Sequence, residues 1–401
     1  MPAVQHRINR TYILAIAALV FFAIVAALVA RALGASTPPK EEMTPLLLSV
    51  QDAPIPFNGS DSSTHLVYEI LLTNFSSGDV TLEKVVVLGD GAELQTLEAP
   101  EIATRVQTVG TRELSASMAK STQALLFIHV IMPEGKHAPR ELSHRVTARF
   151  AAAPPGRQEI TASGGNIAVD HRAVAVFGPP LHGAGYISAD SCCDAVRHTR
   201  AALPINGHFW IAQRYAVDWE QVNEQGRIYR GPKEKLESYN IFGKEAIAVA
   251  DATVASTVDG APEGTPGAYP TAIDPVDADG NAVILDLGQH RYAMYAHLQP
   301  GSIKVRQGEK VKTGQVLALV GNTGNSLVPH LHFQLMDQPS SLAANGLPYE
   351  IDNFEVTAKG VSTATFDQAE ADGTPMPHTI VTPPIHARKA LPLDQLIITF
   401  R

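Results

Sequence analysis

Residues 329–333 read Pro329-His330-Leu331-His332-Phe333, an apolar and histidine alternation with a period of two. In a strand, successive side chains point to opposite faces, so His330 and His332 share one face while Leu331 and Phe333 take the other. Two imidazoles side by side can divide labour. One binds a metal while its neighbour moves a proton or holds a developing oxyanion. Upstream stands Tyr295-Ala296-His297-Leu298, followed by Gly301, Gly308, Gly314-Gln315 and the run Gly321-Asn322-Thr323-Gly324-Asn325-Ser326. These glycines suit tight turns of a strand meander that folds back and brings His297 to the His330/His332 pair.

Working outward, the chain reads as β throughout. Ala246–Val254, Ala282–Leu287, Tyr292–His297, Val316–Val320 and Gln395–Phe400 form strand-like runs, and Asp279-Gly280-Asn281 resembles a hairpin turn. The segment Phe366–Pro377 reads as an exposed polar loop, with no partners legible for His378 and His386. Nearer the N-terminus, His65–Thr73, Leu82–Leu88, Ala124–Ile131 and Arg145–Phe150 are separated by turn-rich stretches such as Asn74–Asp79. They predict an antiparallel, immunoglobulin-like β-sandwich. It carries no legible titratable cluster, and His129 and His144 read as structural.

The 401 residues carry 31 Lys+Arg against 40 Asp+Glu, a net charge of −9, with 45% apolar and 18% charged residues. This is globular composition, and the acidic balance argues against a nucleic-acid partner. The two cysteines, Cys192 and Cys193, are adjacent, which excludes a disulfide framework. Neither an HExxH helix, a GxSxG elbow nor a Walker loop is present. Arg7 and Arg10 precede an apolar run from Ile13 to Ala30. A run of this kind marks residues 1–36 as a signal peptide or an inner-membrane anchor through residues 13–30, with the remainder exported to the periplasm or beyond. The organisation expected is a sandwich over residues 37–175, a second β-rich domain over 176–360 after the corner Gly178-Pro179-Pro180, and an extension over 361–401 with one closing strand.

The string from Tyr295 to Gln334, within a longer match over Ala212–Gln334, resembles the lysostaphin-type, LytM-like zinc endopeptidases that cleave peptidoglycan peptides. The resemblance implies an antiparallel β-sheet peptidase domain and a zinc site. Asp218 fits the family's aspartate and His332 its second-motif metal ligand, while His330 and His297 fit the two catalytic histidines. Here the chain departs from the family. Four residues before Asp218, where the pattern has a histidine, stands Arg214, which is always protonated and has no acceptor. The third ligand is then His198, the favoured choice, His208, or a thiolate of Cys192 or Cys193. Alternatively the site is degenerate and metal-free, with Arg214 pairing Asp218, and the module binds cell wall or regulates another hydrolase. The vicinal cysteines themselves read as a disulfide, as free thiols or as a link to another chain.

Overall fold

The computed structural model describes residue 41 and residues 43–401; residues 1–36, read as signal or anchor, lie outside the described residues. Among the described residues no helix is long and apolar enough to cross a membrane. The fold is all-β, and Pro45–Arg401 pack as one compact unit.

Residues 46–168 form a sandwich of two five-stranded antiparallel sheets. Thr64–Asn74 pairs with Gln123–Met132 at the centre of one, and Val80–Gly89 pairs with Glu141–Phe150 at the centre of the other. Their inward residues, including Leu66, Tyr68, Ile70, Val85, Leu126, Val146 and Phe150, make one core. The period-two burial of Glu141–Phe150 is what an antiparallel strand with one wet face requires.

Beyond the corner, ten antiparallel strands form a third, larger sheet. Its middle runs Ala282–Asp286, Tyr292–Ala296, Leu331–Met336, Val217–Gln221, Gly183–Ala189, Leu396–Phe400. The C-terminal strand is therefore interior rather than closing, bonded to Gly183–Ala189 on one side and Phe354–Gly360 on the other. Its core packs Trp219, Tyr295, Phe333, Tyr349 and Phe400 together, and it also takes in Ile55, Phe57 and Val67 from the sandwich. Phe57 meets Tyr215 edge-on at 5.4 Å, so the two regions share apolar packing.

Three local expectations are corrected. Ala246–Val254 splits into Glu245–Ile247 and Ala252–Val258, which join different sheets. Asp279-Gly280-Asn281 is not a two-residue hairpin, because the paired strands Ala252–Val258 and Ala282–Asp286 are joined by the long segment 259–281. Of Phe366–Pro377, expected as a loop, only Gly373–Pro377 is irregular. Thr363–Asp372 is a helix, started by a Ser362/Thr365 capping box and ended by left-handed Gly373, with Phe366, Ala369 and Glu370 buried. Only Phe366 and Ala369 give it an apolar stripe, too narrow to register as helical periodicity. The two terminal histidines have partners as well: His386 pairs with Glu355 at 3.2 Å, and His378 Nδ1 donates to the Met376 carbonyl at 2.7 Å.

Candidate metal centre and active site

Strand register assembles the site. Asp218 lies directly opposite His332, and Ala296 lies opposite His332 from the other side. Side-chain alternation then sends Asp218, Glu220, His330, His332 and Gln334 to one face of the sheet, while Val217, Trp219, Leu331 and Phe333 fill the core. His297 follows its strand at φ 62°, a left-handed turn that the straight strand reading to residue 297 did not foresee. His198 arrives from the short helix Val196–Thr199, just after the two cysteines. All five expected residues line one cavity of about 480 Å³.

The distances are those of a cluster. His332 Nδ1 is 2.8 Å from Asp218 Oδ1, His198 Nε2 is 3.3 Å from Asp218 Oδ2, and His330 Nε2 is 3.5 Å from Asp218 Oδ1. The potential donor atoms of His198, Asp218 and His332 lie within 4.8 Å of one another, as do those of His297, His330 and His332. The rings of His297 and His330 are 4.6 Å apart between centroids.

Outer hydrogen bonds fix each ring. His198 Nδ1 donates to the Asp190 carbonyl at 2.8 Å, His297 Nδ1 to the Thr323 carbonyl at 2.7 Å, and His330 Nδ1 to the Val328 carbonyl at 2.8 Å. A carbonyl only accepts, so each of these Nδ1 atoms carries a proton and each Nε2 is the nitrogen that faces the cavity, as a lone pair in the neutral rings of His297 and His330 and as a donor to the Asp218 carboxylate in His198. His332 is turned round. Its Nε2 donates to Gln334 Oε1 at 2.7 Å, which leaves Nδ1 facing Asp218. Gln334 was missed in the sequence although residue 334 follows the same period-two face as 330 and 332. The Thr323 carbonyl is placed by backbone packing: a Cβ on Gly280 would meet Thr323 at 2.5 Å, and Gly280 sits at φ 61°. Glycine alone fits there.

Electrostatics follow from burial against charge. Burial disfavours the Asp218 carboxylate, yet His198, His330 and His332 overcome this and hold it well below the usual range. Burial pulls His198 down, but Asp218 and Asp190 push it up to about 9. Burial, with His330 and His332 alongside, holds His297 well below its ordinary value; burial also lowers His330, opposed in part by Asp218. A second acidic feature went unread. Glu220 and Glu370 meet in the cavity wall, where burial raises both carboxyls and the neighbouring Glu370 pushes Glu220 up further, so that Glu220 holds the proton of the pair.

The alternative ligands are displaced. His208 lies on the hairpin strand His208–Trp210, its ring 4.4 Å from that of Trp210, away from the cluster. Cys192 and Cys193 are joined in a disulfide, so neither is a thiolate. Arg214 does not pair with Asp218. It is buried and donates through Nη2 to Glu69 Oε1 of the sandwich at 2.6 Å, a partner remote in sequence that only the packing supplies.

Residues 241–344 match the model of peptidase family M23. The chain is similar to the peptidoglycan DD-endopeptidase ShyA of Vibrio cholerae, 42% identical over 57 residues, which is 14% of this chain and 13% of that protein. It is similar to lysostaphin of Staphylococcus simulans, 35% identical over 94 residues, 23% of this chain and 16% of that protein. In both cases the match spans less than a fifth of the relative's length. Among solved structures, the catalytic domain of lysostaphin from Staphylococcus simulans aligns over 41% of this chain and 85% of its own at 22% identity, with a TM-score of 0.21. His198 and Asp218 precede the matched segment, whereas His297, His330 and His332 fall inside it. Residues 241–344 of this all-β chain are thus the segment that is similar to peptidase family M23.

Proposed function

We propose that this chain is an exported zinc metalloendopeptidase acting on peptide bonds of bacterial cell-wall peptidoglycan. The observation that carries the reading is the meeting of His198, Asp218 and His332 with a second histidine pair, His297 and His330, in one cavity. The donor chemistry fits zinc. Two imidazole nitrogens and one carboxylate oxygen converge, and each ring's remaining nitrogen is engaged by an acceptor that orients it. Bound zinc supplies Lewis acidity, polarising a carbonyl and lowering the pKa of water to about 7.

The remaining work falls to the chain itself. His297 and His330 each present an unprotonated Nε2, so either takes the proton of an attacking water and passes it to the leaving amine. Once protonated, the same ring donates to the oxyanion. A positioned acid/base of this type is worth about 10²–10⁴ in rate. The peptide occupies the cavity beside Glu220 and Glu370. In this reading, residues 13–30 direct export or anchor the protein to the inner membrane, residues 37–175 are an accessory module, and the peptidase region runs from residue 176 through the strands that end at Phe400.

Metal analysis together with digestion of purified peptidoglycan and mass analysis of the fragments tests the assignment. His332→Ala should lose zinc and activity together, whereas His330→Ala should keep zinc and lose turnover. Hydrolysis retained in His332→Ala refutes the zinc site. A zinc-free, inactive wild type that still sediments with peptidoglycan supports a binding module instead.

A further inference from the structure

A second histidine cluster lies outside the peptidase site. His65 and His129 sit on paired strands of the sandwich, both buried, and His65 Nδ1 is 2.8 Å from His129 Nε2. Their outer nitrogens face carboxylates: His65 Nε2 is 3.0 Å from Asp61 Oδ1, and His129 Nδ1 is 2.9 Å from Asp194 Oδ2. Asp194 is itself gripped by Arg105 at 2.5 Å. Cys193 of the disulfide completes the group, with its sulfur and the histidine nitrogens all within 4.8 Å. Asp61, both histidines, both cysteines and Asp194 line a cavity of about 740 Å³.

Proton counting gives the group its chemistry. A carboxylate only accepts, so each imidazole must carry its proton on the outer nitrogen. The two inner nitrogens then face each other as lone pairs, and their close approach requires one shared proton or a cation between them. Carboxylate–histidine pairs aimed at a common point are the outer-sphere arrangement of metal sites. A disulfide sulfur is a poor ligand, whereas a thiolate binds zinc strongly.

The geometry points to a second metal site, formed by His65, His129 and Cys193 for a zinc-like divalent cation when the Cys192–Cys193 disulfide is reduced. Reduction takes two electrons and two protons from a dithiol, which is oxidised to its own disulfide, and leaves two cysteine thiols. Metal entry then displaces the Cys193 thiol proton and the proton shared by the histidines, both passing to solvent. The donors need little movement, since nitrogens about 3.3 Å apart span a tetrahedral zinc at its usual bond length. The proposal is independent of the peptidase reading, whose ligands include no sulfur.

Cobalt(II) titration of the full chain tests it, because cobalt bound to thiolate gives a near-ultraviolet charge-transfer band that cobalt on nitrogen and oxygen lacks. The oxidised protein should show no such band. Reduction by a water-soluble phosphine, which is converted to its oxide as the disulfide becomes two thiols, should produce the band and add one equivalent of bound cobalt. Cys192→Ser frees the Cys193 thiol permanently and should show the band without reductant, while Cys193→Ser should lack it under all conditions. His129→Phe placed in the Cys192→Ser protein should weaken cobalt binding at this site at least tenfold. If reduced wild type and Cys192→Ser are folded by circular dichroism yet neither gives the band, the site does not exist. A band retained in reduced Cys193→Ser, or unchanged affinity in the His129→Phe protein, overturns the donor set.

Discussion

Glu69→Gln isolates the role of Arg214. The two side chains are 3% and 6% exposed and meet at 2.6 Å, joining the sandwich to the strand-bearing segment that leads into Asp218. Burial pushes the Glu69 carboxyl up while Arg214 pulls it down, and the Arg214 Nε has no partner among the described residues. The amide of glutamine keeps an acceptor oxygen but removes the opposing charge. At about 4 Å between charge centres and an effective dielectric near 20, the lost attraction is about 4 kcal/mol. Breaking a buried pair from one side costs about 3–5 kcal/mol in general, so the two figures agree. Equilibrium urea unfolding followed by Trp210 and Trp219 fluorescence reads this directly, since Trp219 is fully buried in the large sheet's core. The double variant Glu69→Leu/Arg214→Met should recover to within about 1 kcal/mol of wild type, because apolar packing replaces a buried ion pair without leaving a stranded charge. Both proteins should bind zinc as wild type does. A loss below about 1 kcal/mol in Glu69→Gln refutes the clamp, and a folded double variant that has lost zinc would return Arg214 to the metal site.

Three further outcomes are expected. His144, buried against the Tyr68 hydroxyl at 2.7 Å, has its pKa lowered from 6.5 to about 4 by burial. The folded state therefore binds fewer protons than the unfolded one between those values. Its contribution is complete above pH 6.5 and is lost as pH falls through 4, about 3 kcal/mol in all. His144→Gln should flatten that part of the stability–pH curve measured by urea unfolding; an unchanged slope refutes it. Gln334→Leu removes the acceptor that orients His332 and should weaken zinc binding about 10–100-fold in chelator competition. Ser362→Ala removes the cap of the Thr363–Asp372 helix and should cost about 1 kcal/mol, seen as a lower melting temperature.

Period-two alternation alone placed His330 and His332 on one face, and the apolar runs located the strands Thr64–Asn74, Gln123–Met132 and Tyr292–Ala296 almost to their ends. These features are local: a strand's faces follow from the pleat, whatever it packs against. The sequence also put the divergence from the family pattern at Arg214. What it could not state was where Arg214 points, because Glu69 lies 145 residues away and is reached only when the sandwich packs on the larger sheet. The same holds for the Asp218–His332 register and for the His65–His129–Cys193 group, each of which joins segments far apart in the chain. The sequence by itself determined the β character, the histidine pair and the residue types available for metal chemistry, since these depend on neighbours a few positions apart. Tertiary structure decided which of those residues meet, because strand order and register are set by burying the faces together rather than by any one segment.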